Sequence, residues 1–138
     1  MMRHEFSSWR KVQISTWLWP NFTPEEWACK GTGRIVYHTE MMDALQGLRD
    51  IYGAPLVISS GYRSPEYDKK IGGKGPHQTG LAVDILCSGA DAHKLLRAAM
   101  AMNKWTGIGV SQKGNHASRF IHFDMISDSR TRPWLWGY

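Results

Sequence analysis

The chain has 138 residues, with 17 Lys and Arg against 12 Asp and Glu, seven Trp and two Cys. That length suits one domain, residues 1–138, with a core of its own and is short for two ordinary ones. Cys29 and Cys87 are too few and too far apart for a disulfide framework or a Cys-x-x-Cys motif, so buried free thiols are expected. The net charge of +5 favours an anionic partner such as a cell wall, a membrane surface or nucleic acid. The cations come only in loose pairs, Arg10-Lys11 and Lys69-Lys70, without the basic helix or aromatic interleaving of a nucleic-acid site. No apolar run approaches the roughly 18 residues of a membrane span. Arg3, His4, Glu5 and Arg10 interrupt the stretch where a secretory signal needs its apolar core. A soluble monomer made in the cytoplasm, with no nucleic-acid partner and no stable membrane insertion, is expected.

Tryptophans gather at Trp9, Trp17, Trp19 and Trp27 and again at Trp134 and Trp136, which reads as two chain ends packing on a small core ahead of carbohydrate or peptide stacking. Thr23-Pro24-Glu25-Glu26 combines a cap, a proline at the first helical position and a glutamate three residues after the cap, so a short helix starts there and stops before Gly31 and Gly33. Thr39 caps a longer helix whose Met41, Met42, Leu45, Leu48 and Tyr52 recur at helical spacing, up to Gly53. Leu56 to Ser59 reads as a short buried strand, and Ser64-Pro65 starts a helix that ends at Gly72-Gly73. Ala82 to Leu86 is a strand, and Asp91 to Met102 a helix burying Leu95, Leu96, Ala99 and Met102. Gly107 to Val110 and Phe120 to Asp124 are strands joined by a polar turn with an antiparallel return. Four helices with three or four strands make the fold class α+β.

Two strands carry an anomaly. In His77-Gln78-Thr79-Gly80-Leu81-Ala82-Val83-Asp84, Gly80 lets the chain turn closely, and Asp84 sits in the middle of an apolar strand. Burying a carboxylate there costs too much unless it is paired or binds a metal. In Phe120-Ile121-His122-Phe123-Asp124, His122 and Asp124 share one strand face, opposite Ile121 and Phe123. Two imidazoles and a carboxylate are what a catalytic zinc needs when its fourth position is left to water. Hydrogen-bonded core histidines are the bland alternative.

Ser60-Gly61-Tyr62-Arg63-Ser64-Pro65, Gly72-Gly73, His77-x-x-Gly80-x-Ala82-x-Asp84 and Phe120-Ile121-His122-Phe123-Asp124, in that order, resemble the signature of zinc D-alanyl-D-alanine carboxypeptidases and related murein endopeptidases. These share a superfamily with lysostaphin and the hedgehog signalling domain. The similarity begins near Trp19-Pro20-Asn21-Phe22, passes through Ala28-Cys29 and Thr32-Gly33, and reaches the tryptophans near the carboxyl end.

The resemblance implies a small central antiparallel sheet flanked by helices, Zn²⁺ held by His77, Asp84 and His122, and hydrolysis of a peptide bond in the stem peptide of bacterial peptidoglycan. Both endopeptidases and D-Ala-D-Ala carboxypeptidases occur among such enzymes. It also implies that Arg63 stands beside the metal to hold a substrate carboxylate or the carbonyl oxygen as it gains charge, with an ion pair to Glu66 or Asp68 as the structural alternative. Tyr62 and Gln78 are expected to face the substrate groove. Several branches carry an acid three positions before the last zinc histidine, where this chain has Arg119. Asp124 is therefore the expected general base, with orientation of His122 as its alternative. His116, in the polar turn, is expected to stabilise the transition state or shuttle a proton. A wall-cutting enzyme without an export signal acts after release or from within a virion, as a phage or prophage endolysin does. A non-catalytic, zinc-bearing cell-wall binding module is the alternative of another class.

Overall fold

A computed structural model describes residues 2–138. Its seven strands are β1 (Arg3–Phe6), β2 (Ile35–His38), β3 (Val57–Ser60), β4 (Ala82–Leu86), β5 (Gly107–Ser111), β6 (Phe120–Asp124) and β7 (Trp134–Gly137). The α-helices among the described residues are α1 (Pro24–Trp27), α2 (Thr39–Tyr52), α3 (Pro65–Lys70) and α4 (Gly89–Met102).

Local chemistry sets several of these boundaries. At α1 the Thr23 hydroxyl accepts from the Glu26 amide while the Glu26 carboxylate accepts from the Thr23 amide, with Pro24 opening the helix. Ser64 caps α3 ahead of Pro65 by accepting from the Tyr67 amide, without the return bond. Thr39, expected as a cap, is instead the first helical residue of α2, because β2 runs directly into that helix at His38. The apolar stripe of α2 is buried as its spacing predicts, and α2 packs against α4. In α4 Leu95 and Ala99 are buried, while Leu96 and Met102 lie partly buried against the core.

The fold is α+β, and its central sheet has strand order β3-β4-β6-β5-β7. The four strands β3 to β6 pair antiparallel, whereas β7 runs parallel to β5, so the sheet is mixed. The reason lies in the connection: residues 125–133 leave the end of β6, pass the start of β5 and bring the chain back on its far side, where Trp134 pairs with Gly107. A separate two-stranded sheet joins β1 to β2. Neither β1, β2 nor β7 was expected. β1 is mostly polar, β2 is a buried apolar run of only three residues before His38, and β7 is four residues long with Trp134 and Leu135 exposed, so none shows the alternation that marks a half-buried strand. Nor is β3 a buried strand: Val57 is 57% exposed and only alternate residues face inward.

Trp19 and Trp27 are buried, and Trp17, Trp19 and Tyr37 meet edge to face, so the amino-terminal tryptophans pack on the core. The carboxyl-terminal pair behaves differently, with Trp134 at the surface and Trp136 beside His122. Both cysteines are free, Cys29 buried and Cys87 half-buried. No helix of the described residues is long and apolar enough to cross a membrane.

Candidate metal centre

β4 and β6 run antiparallel in a register that sets Asp84 directly across from His122 and Ala82 across from Asp124. Directly opposed residues point to the same sheet face, so one register brings a carboxylate and an imidazole together. His77 arrives from the 3-10 turn Pro76–Thr79, and Gly80 at φ 73° then swings the chain into β4. That turn is tied to the loop after β3: the Arg63 amide donates to the His77 carbonyl at 3.1 Å, and the His77 Nδ1 meets the Gly61 carbonyl at 2.7 Å.

The side chains converge. Asp84 Oδ1 lies 3.3 Å from His77 Nε2 and 3.0 Å from His122 Nδ1, and one ligand atom from each residue lies within 4.8 Å of the others. A tetrahedral zinc with bonds near 2.0–2.1 Å spaces its ligand atoms by about 3.3 Å, so the donor set fits a small divalent ion. Each imidazole also has its other nitrogen occupied, His77 by the Gly61 carbonyl and His122 by Asp124 at 2.7 Å. Such hydrogen bonds fix which nitrogen is free to bind a metal.

Arg63 stands beside this cluster. Its guanidinium reaches Asp84 Oδ2 at 3.5 Å and donates to Asp68 Oδ1 at 3.0 Å and Ser60 Oγ at 2.8 Å. The carboxylate of Asp68 is fully buried and also accepts from Gln78 Nε2 and the Gly75 amide, at 2.9 and 3.1 Å. It thereby locks Arg63 to the turn that carries His77. Arg63 thus stands beside the cluster and also makes the expected ion pair to Asp68, its two Nη atoms reaching different carboxylates.

Asp124 is fully buried on the other side of the His122 ring from Asp84. Arg132 grips it with two donors, Nε at 2.9 Å and Nη2 at 2.8 Å. Burial would raise the Asp124 carboxyl, but hydrogen bonds from His122 and Arg132 outweigh it and hold it well below the usual carboxylate range. Asp84 behaves alike, with burial overcome by hydrogen bonds from His122 and His77. Burial opposes charge on His122, yet its bonds to Asp124 and Asp84 raise its pKa in the metal-free protein.

A cavity of about 510 Å³ opens over the cluster, lined by Arg63, Lys74, His77, Asp84, Phe120, His122, Trp136 and Tyr138 among others. Of the expected site residues, His77, Asp84, His122 and Arg63 line it together. Tyr62 is buried in the core, and Gln78 turns to Asp68 instead of the cavity. His116 is exposed on the turn before β6 and forms no part of the lining. Arg119 donates to the Gly114 carbonyl at 3.0 Å and so braces that same turn. Arg132, Trp136 and Tyr138 had no assigned part at the site. They share one weak signal, a Trp-rich segment after a cluster of arginines, whereas Asp68 was legible only as one of two ion-pair candidates for Arg63.

A buried His-Asp-His cluster at the floor of a cleft fits a metal site. The sequence model of the peptidase M15 family matches residues 20–124, well over half of the chain, and the chain belongs to that family. No curated protein and no solved structure matches it. Hydrolysis of peptide bonds is thus the chemistry of this site at family level.

Proposed function

We propose that the protein is a zinc peptidase that hydrolyses peptide bonds in the stem peptides of bacterial peptidoglycan, acting as a monomer in cell-wall lysis of the phage or prophage endolysin kind. The observation that carries this reading is the convergence of His77 Nε2, Asp84 Oδ1 and His122 Nδ1 beneath an open cleft. A bound divalent metal supplies the Lewis acid and the activated water that such hydrolysis needs.

The protein's own groups divide the remaining work. His77, Asp84 and His122 hold the ion. Arg63, lining the cleft beside Asp84, takes the carbonyl oxygen as it gains charge or anchors a substrate carboxylate. Asp68 keeps that guanidinium in place. Asp124 serves as the partner that orients His122, since its oxygens are taken by His122 and Arg132 and the imidazole stands between it and Asp84. Asp84 is the single carboxylate among the residues lining the cleft. Tyr138 also lines the cleft, and burial raises its hydroxyl above the usual tyrosine range, so it keeps its proton and can donate a hydrogen bond there. The net positive charge favours approach to an acidic wall.

A D,D-carboxypeptidase is the second reading, favoured by two cations, Arg63 and Lys74, lining one cleft where a terminal carboxylate would dock. Digestion of purified peptidoglycan, with fragments identified by mass spectrometry, separates the two. Internal cleavage of the stem supports the endopeptidase, and release of D-alanine alone supports the carboxypeptidase. Activity that is lost to a chelator and restored by zinc excludes a binding module without catalysis. Intact peptidoglycan under all these conditions rules out the hydrolase.

A further inference from the structure

Residues 125–138 lie beyond the stretch that matches the family, yet they complete the metal centre. The Arg132 side chain is only 11% exposed, and both of its contacts with Asp124 are short, 2.9 Å from Nε and 2.8 Å from Nη2. Two parallel donors on one carboxylate leave it no freedom to rotate. The same guanidinium carbon lies 5.2 Å from the Trp136 ring, and that ring lies 5.1 Å from the His122 imidazole. One cation thus braces His122 twice, at its edge through Asp124 and at its flank through Trp136.

The neighbouring strand is cut to admit this arrangement. A Cβ at Gly107 would fall on the Asp124 carboxylate, and a Cβ at Gly109 would fall on the Trp136 indole. Neither glycine has a positive φ. Their lack of a side chain provides room and serves no turn.

We infer that Arg132 is a positioning residue of the metal centre, holding Asp124 and Trp136 against His122 so that Nδ1 is the nitrogen presented to the ion. This rests on the reading above that the ion sits among His77, Asp84 and His122. An imidazole can offer either nitrogen, and the hydrogen bond on one decides the other. Asp124 occupies Nε2, and Arg132 is what keeps Asp124 from turning away.

The test compares wild type with Arg132→Met, Arg132→Lys and Arg130→Met. Zinc affinity is measured by competition with a chelating dye, alongside ¹⁵N NMR of the His122 ring and thermal unfolding of the metal-free protein. Arg132→Met is expected to weaken zinc by about 10–100-fold and to shift the His122 ring nitrogens toward a mixture of tautomers. Arg132→Lys, which keeps the charge without the two-pronged grip, should recover part of the affinity. Arg130 is half-buried and pairs with Asp128, with no bond to Asp124 or His122, so Arg130→Met should match wild type in zinc affinity. A folded Arg132→Met protein with wild-type affinity and an unchanged His122 spectrum would mean that Arg132 only braces its loop, and the inference would fall. If Arg132→Met does not fold, Arg132→Lys decides: a several-fold weaker affinity supports the role and wild-type affinity overturns it. A wild-type protein that binds no zinc removes the reading beneath as well, and is recognised before any variant is compared.

Discussion

β4 with β6, and the segment that follows β6, reach the same site by different means. The strands carry Asp84 and His122 on paired backbone, so a ladder of hydrogen bonds sets where those groups stand. The following segment sends in Arg132 and Trp136 from a loop and an edge strand, held largely through side chains. When a group of the first kind is altered, the ladder that places it persists. Asp124 lies on that ladder too, but as the partner of Arg132 it ties the following segment to β6, so its bonds stabilise the structure as well as shape the site.

That contrast is sharpest for the ligands themselves. Replacing His77, Asp84 or His122 by alanine should abolish tight metal binding and lower peptide hydrolysis at least about a thousandfold, equivalent to about 4 kcal/mol of barrier. Each variant should still give a cooperative unfolding transition. Metal content and peptidoglycan turnover, measured on the same preparations, check both halves. Retained hydrolysis in a metal-free variant would break the comparison at its root.

Asp124→Ala should instead strike fold and site together. It leaves the Arg132 guanidinium, mostly buried, without its carboxylate, and breaking such a buried pair costs about 3–5 kcal/mol. Urea unfolding of the metal-free protein reads this loss. Unchanged stability would mean that the Arg132–Asp124 pair contributes nothing to the segment's hold.

The difference between the two regions also governs how much was legible beforehand. Asp84 and His122 stood out because a polar residue in an apolar strand must have a partner, and strand alternation named the face they share. His77 was legible through its spacing to Gly80 and Asp84. Arg132 meets Asp124 only because residues 125–133 pass around the start of β5, and no local pattern encodes that path. The same blindness explains β7, whose parallel place beside β5 depends on that loop, and β1, a polar strand recruited by β2. Asp124 was legible as a neighbour of His122, either its base or the partner that orients it; the cation on its other side comes from the part of the chain that could not be read.

A smaller effect follows from pH. His122 has a raised pKa without metal, and an ion requires the neutral ring, so binding releases a proton. Zinc affinity should rise with pH, approaching tenfold per unit while His122 is still protonated, and flatten above its pKa; isothermal titration in buffers of different ionisation enthalpy measures the proton count. For Asp84 and Asp124 the folded pKa is depressed. Their stabilisation is therefore present above the unfolded aspartate value near 3.9 and lost as the solution becomes more acid. Thermal scans of the metal-free protein should show that loss beginning around pH 4–5.

The smallest effect belongs to His116. It is exposed and lies outside the cleft lining, so His116→Ala should leave turnover within about twofold, as for ordinary surface substitutions. A loss of ten times or more would show that the turn before β6 closes over the substrate.

X-ray absorption at the zinc edge, on protein loaded with one equivalent of zinc, reads the ligand set itself. Two imidazole nitrogens with oxygen making up the rest of the shell, at about 2.0–2.1 Å and without sulfur, are expected. A sulfur shell near 2.3 Å, which only Cys29 or Cys87 or a methionine could supply, or a failure to retain the ion at all, would contradict that ligand set.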